Sequence, residues 1–163
     1  MKLKTSNIVV LLLSLAGAAQ AAGPETTGAL ATPANRLVGL WAGEGFVSPC
    51  GTPTPTQPTV RATFSIQAGG TLIELPRFPP PGTNSRTMAL GSWSYTPATG
   101  TFQARFRFDN YVNGVYSGYT VVDRELLMSA DDQEIAGDVH AVRYDANGNS
   151  LGELCGFGVS RRI

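Results

Sequence analysis

An all-β fold, an eight-stranded antiparallel up-and-down barrel with one disulfide, follows from three features of this sequence. From residue 36 onward apolar side chains come in short runs that mostly alternate with polar ones, the period of two of a half-buried strand. The runs are separated by turn chemistry, including Gly69-Gly70, Asn113-Gly114 and Asp145-Ala146-Asn147-Gly148-Asn149. The only two cysteines, Cys50 and Cys155, follow the first run and fall in the last, so a bond between them makes those two elements neighbours.

Taken in order, the first strand covers residues 36–47, with Leu37, Gly39, Trp41, Gly43 and Gly45 on one face. Residues 48–58, SPCGTPTPTQP, hold too many prolines to supply a ladder of donors and read as a loop. The second strand, 59–67, puts Val60, Ala62, Phe64 and Ile66 on one side, and Gly69-Gly70 turns it into a third, 71–75. A second irregular loop spans 76–86. The fourth strand, 87–95, turns through 96–100 into the fifth, 101–109, where Phe102, Ala104, Phe106 and Phe108 face away from Gln103, Arg105 and Arg107. A sixth strand at 116–128, a seventh at 134–144 and an eighth at 150–160 complete the set. Eight strands joined mostly by hairpins, with a cystine between the first and last, close most economically into a barrel without exposed edges. Two packed four-stranded sheets are the alternative. The turn at 145–149 lacks EF-hand spacing and flanking helices, so it reads as a turn and nothing more.

Residues 1–22 order Lys2 and Lys4, an apolar run at 8–15 and the small-residue end Ala19-Gln20-Ala21, as a secretory signal peptide does. The expectation is a secreted or periplasmic protein, in a compartment that favours a Cys50–Cys155 bond. Residues 23–35 are small, polar and without period, a flexible leader, and 36–163 form one barrel domain. No membrane span is expected, since no run approaches the roughly 20 apolar residues required. Without Lys2 and Lys4 the chain carries ten arginines against twelve carboxylates, a net charge near −2 that argues against nucleic acid. No cofactor and no metal are expected: there is no G-x-S-x-G elbow or phosphate loop, and two cysteines with the single His140 make a poor ligand set.

Gly39-Leu40-Trp41 at the start of the first strand resembles the G-x-W element of the calycin group, the lipocalins and their relatives, and Gly91-Ser92-Trp93 repeats the triplet. The resemblance implies a barrel with an internal cavity, and an arginine, here Arg161 or Arg162, packed over the first tryptophan. The chain departs from the classical lipocalins in having no C-terminal helix and no T-D-Y-like element between its sixth and seventh strands. Helix-free barrels of the allene oxide cyclase type look similar too. Avidin-like biotin sites use several tryptophans, and this chain has two.

With Trp41 and Trp93 pointing inward, alternation places Val60, Phe64, Tyr95, Phe106, Leu126 and Met128 inside as well. The ligand-binding set read from the sequence is therefore Trp41, Phe64, Trp93, Tyr95, Phe106, Arg124 and Met128, with no catalytic residue assigned. A barrel of this size either holds one small ligand or is filled by side chains, and the inward Gly39, Gly43, Gly45 and Gly91 favour room. Arg124 points inward between Val122 and Leu126, where a cation needs a partner or an anionic ligand, and Glu74 is the partner by type. Outside, Arg105 and Arg107 oppose Asp123 and Glu125 as ordinary surface pairs. Asp138 and His140 share a strand face, either orienting the imidazole or simply solvated. The resulting expectation is a non-enzymatic carrier or sensor for a small hydrophobic or amphipathic molecule. A cyclase or isomerase that acts by positioning its substrate is the alternative, and a secreted protein-interaction or inhibitor barrel is a third reading. The oligomeric state is left open.

Overall fold

The computed structural model describes residues 33–77 and 84–163. The expected signal peptide, the expected leader up to residue 32 and the middle of the expected loop at 76–86 lie outside them. A short 3-10 turn, Pro33–Leu37, leads into nine strands. These are β1 (Gly39–Pro49), β2 (Val60–Gln67), β3 (Thr71–Pro76), β4 (Asn84–Arg86), β5 (Ala89–Thr96), β6 (Thr101–Val112), β7 (Val115–Met128), β8 (Glu134–Tyr144) and β9 (Ser150–Arg162).

All pairings are antiparallel, and eight strands close on themselves in the order β1-β2-β3-β5-β6-β7-β8-β9, with β9 returning to β1. The ninth, β4, is not a further stave: it pairs with the end of β6 (Arg86 opposite Asn110) and so prolongs the line of β5 past Thr87 and Met88. Residues 84–86, read from the sequence as part of an irregular loop, are thus strand. β1 and β9 pair from Trp41–Arg162 to Pro49–Leu154, and the Cys50–Cys155 disulfide stands at that ladder's end, with Cys50 just past it and Cys155 within it opposite Ser48. Among the described residues no helix is long and apolar enough to cross a membrane.

Two ends differ from the simple period-two reading. Residues 36–38 are not strand; Val38 N–H bonds the Asn35 carbonyl at 3.1 Å and Leu37 is fully buried, so the chain enters through the 3-10 turn. The last strand runs two residues further than residue 160, because Arg162 N–H reaches the Gln133 carbonyl (3.0 Å) and Ile163 N–H the Leu40 carbonyl (3.1 Å).

Alternation then gives the barrel two unlike halves. At the end where β1 begins and β9 finishes, Leu37, Trp41, Ile66, Leu72, Phe102, Leu126 and Ile135 fill the interior and are almost fully buried. At the other end, the mouth, the inward side chains leave a cavity, and the turns after β6 and β8 lie at that end.

Candidate functional site

Trp41 belongs to the closed half. Its indole Nε1 donates to the Leu37 carbonyl at 2.9 Å, tying the first strand to the 3-10 turn. Arg162 lies across its ring, with Cζ 4.2 Å from the ring centre. The same guanidinium donates to the carbonyls of Val38 (2.9 Å), Arg36 (2.6 Å) and Asp132 (2.9 Å). Of the two arginines weighed for this position it is therefore Arg162 that covers Trp41; Arg161, one residue earlier on the opposite face, pairs with Glu134 at 3.1 Å. Gly39 makes the arrangement possible, since a Cβ there would stand 2.5 Å from Arg162 Nη1. Arg36 adds an ion pair to Asp132 across the same end.

The mouth half holds a cavity of about 120 Å³. Its walls are apolar, chiefly Val60, Phe64, Phe106, Val122, Val139 and Leu154. The floor is set where the inward side chains grow large: Val122 of β7 lines the cavity and Leu126, on the same face, lies in the packed core below. Arg124 stands between them, at the floor, only 6% exposed. Its Nε and Nη2 have no hydrogen-bond partner among the described residues, and its Cζ lies 5.4 Å from the Phe64 ring centre. A Cβ at Gly158 would come within 2.5 Å of Nη2, so the absence of a side chain there is what gives the guanidinium its place. Burial pushes the Arg124 guanidinium down to about 10, against a smaller opposing pull from Glu74.

Glu74 is the second charged wall, 2% exposed. It was expected to partner Arg124, but its carboxylate is taken by Arg86, which donates from Nη1 at 2.6 Å and Nη2 at 2.5 Å in a bidentate fork. The Arg86 guanidinium also stacks on Phe108, 4.1 Å from the ring centre. Arg86 is the cavity residue that sequence reasoning passed over, because it falls in a stretch read as irregular; β4 is what turns it inward. Thr120, buried on the same wall, accepts from Asn110 Nδ2 at 2.9 Å.

Of the seven residues assigned to ligand binding from the sequence, the structure brings Phe64, Phe106 and Arg124 together in the cavity. Trp41 is at the closed end, while Trp93, Tyr95 and Met128 are partly buried and pack on the core there. Trp93 Nε1 donates to the Gln67 carbonyl (2.9 Å), and Tyr95 lies 4.9 Å from Phe102, ring centre to ring centre. Inward orientation was legible for all seven; height along the barrel was not. The inward glycines likewise divide: Gly43 and Gly45 line the cavity, whereas Gly91 admits the backbone of its neighbour β6, since a Cβ there would lie 2.2 Å from the Arg105 carbonyl oxygen.

The outer face needs two corrections. Register sets Arg105 opposite Asp123, paired at 3.1 Å, but Gln103 opposite Glu125 and Val121 opposite Arg107. Arg107 pairs instead with Asp109 (3.2 Å) and stacks on Tyr119. His140 is exposed and meets Glu153 across the β8–β9 ladder, Nε2 to Oε2 at 2.9 Å; that carboxylate, rather than Asp138, is its partner. Cys50 and Cys155 lie beside it, with both sulfurs committed to the disulfide.

The chain matches no family model, no curated protein and no solved structure.

Proposed function

We propose that this protein is a calycin-type barrel, exported from the cell, that binds a small apolar or amphipathic molecule in the mouth half of its interior. The observation that carries the reading is the apolar cavity with a buried Arg124 at its floor, whose Nε and Nη2 have no hydrogen-bond partner among the described residues. A protein filled only for stability gains nothing from an unpaired guanidinium in its core, since the charge is expensive to desolvate and apolar residues of similar volume pack there at lower cost. Concave, mostly apolar sites with a few convergent polar groups are the usual form of a small-molecule site. The calycin reading is supported by Gly39-Leu40-Trp41 and by Arg162 across Trp41, the pairing that the resemblance to that group implies. Export is supported by the signal-like residues 1–22 and by a disulfide, which persists in oxidising compartments.

Neither tryptophan lines the cavity, so their fluorescence is a poor reporter of occupancy. Methyl resonances of Val60, Val122, Val139 and Leu154 are direct ones. Titration with a panel of small apolar and amphipathic compounds is expected to shift these methyls saturably while leaving Ile66, Leu72 and Ile135 in place. Ala141→Phe, which fills the cavity from β8, is expected to abolish the shifts in a folded barrel. A panel that moves none of the lining methyls in the unmodified protein refutes the reading.

A further inference from the structure

Charge and volume together narrow what the cavity holds. Of the four charged residues around it, Glu44 turns its side chain out to Arg61, and the side chains of Arg86, Arg124 and Glu74 face the room. Glu74 and Arg86 satisfy one another through the two-bond fork, so the room keeps one formal positive charge, on Arg124, among otherwise apolar walls. A neutral guest leaves that charge unpaired. A dianion overshoots it and sets a surplus negative charge within reach of the Glu74 carboxylate. Only a guest with a single negative charge brings the interior to balance, and a carboxylate matches the guanidinium fork in shape as well as charge.

Volume sets the rest of the guest. A dry apolar cavity of about 150 Å³ takes benzene in another protein, and drug-sized ligands occupy roughly 300 Å³ or more. The room here, at about 120 Å³, is of the former kind. A long-chain fatty acid would leave most of its chain outside, whereas one ring or a short branched chain fits between Phe64, Phe106 and Val122 with the head at the floor. Resting on the binding role proposed above, we infer that the guest is a compact monocarboxylate, an aromatic or branched acid of benzoate size, seated carboxylate-inward on Arg124. Arg124 is still protonated at neutral pH even with its lowered value of about 10, so the charge is in place when the acid enters.

Four probes separate this class from its neighbours: benzoate, benzyl alcohol, phthalate and palmitate, titrated calorimetrically into the disulfide-intact protein at pH 7 and low salt. The same additions are followed on the lining methyls. Benzoate is expected to bind at the cavity, with benzyl alcohol and phthalate each about tenfold weaker or worse, the scale of a charge-assisted hydrogen-bonded pair. Palmitate is expected to gain nothing over benzoate. Arg124→Met, checked as folded by its unshifted core methyls, is expected to bring benzoate down to the level of benzyl alcohol. Benzyl alcohol binding as tightly as benzoate, or Arg124→Met keeping the original benzoate affinity, overturns the monocarboxylate assignment and leaves a ligand-binding barrel standing. Palmitate binding far more tightly than benzoate overturns the size limit. Silence of the lining methyls toward all four probes and toward the wider panel removes both readings.

Discussion

Arg124 is a charge that the fold holds at a cost. Its pKa falls from the ordinary arginine range to about 10, burial being the larger cause and Glu74 a partial offset. That corresponds to roughly 3 kcal/mol against the charged form in the folded state, taken as an order of magnitude. Arg124→Met removes the charge and nearly conserves volume, and is expected to stabilise the protein, with nothing added, by about 1–3 kcal/mol at pH 7. The pH dependence has a definite sign. Below about pH 10 the guanidinium is charged both folded and unfolded, and the penalty is present in full. Between there and the ordinary arginine value the folded protein releases the proton while the unfolded chain keeps it, so stability rises with pH through that window. The advantage of Arg124→Met is accordingly expected to be largest at neutral pH and to shrink toward pH 12, as read from urea unfolding of the two proteins side by side. A variant less stable than the original at pH 7 means that the guanidinium has a partner. The inward direction of Arg124 was legible in the alternation Val122, Arg124, Leu126. The loss of Glu74 to Arg86 was not, because it depends on where a short strand docks after a proline-rich loop.

At the scale of elements, β9 carries two adjacent arginines with opposite fates, since neighbours on a strand face opposite sides. Arg161 points out to Glu134, an exposed pair, and Arg161→Ala is expected to change stability by no more than about 0.5 kcal/mol. Arg162 covers Trp41 and supplies three donors, to the carbonyls of Arg36 in the 3-10 turn, of Val38 just after it and of Asp132 in the β7–β8 connection. Arg162→Ala leaves those acceptors and the ring uncovered, and a loss of about 2–4 kcal/mol is expected. Thermal unfolding of the two single variants measures the contrast, and equal losses would contradict the reading that Arg162, rather than Arg161, holds the closed end together. Most strand limits were readable to within a few residues, because side-chain alternation and turn residues are local properties. Those of β1, β4 and β9 were displaced by non-local contacts: Leu37 under the barrel end, Arg86 on Glu74, and Ile163 N–H on the Leu40 carbonyl.

For the whole molecule, closure is secured twice, by the β1–β9 ladder and by the disulfide across 105 residues of sequence. In the chain-entropy account a crosslink over a loop of this length is worth roughly 4–5 kcal/mol, with measured values often lower. Replacing both cysteines by serine is expected to lower the urea midpoint substantially and to leave the β-sheet circular dichroism unchanged, since the ladder still joins the first strand to the last. Loss of the β signal at zero denaturant would mean that the bond, rather than the ladder, closes the barrel.

What the sequence determined by itself was the class of fold and its closure: a period of two over eight runs, glycine-rich turns between them, and two cysteines at the first and last strands. These are local sterics plus one covalent constraint, and they need no knowledge of distant neighbours. Only the tertiary structure decided which half of the interior is filled and which is open. Each layer inside a barrel is composed of side chains from eight strands far apart in the chain, and a layer is empty or packed according to their summed volumes. That sum places Trp41, Trp93, Tyr95 and Met128 at the closed end and leaves Phe64, Phe106 and Arg124 around the cavity, with a single charge still to be answered.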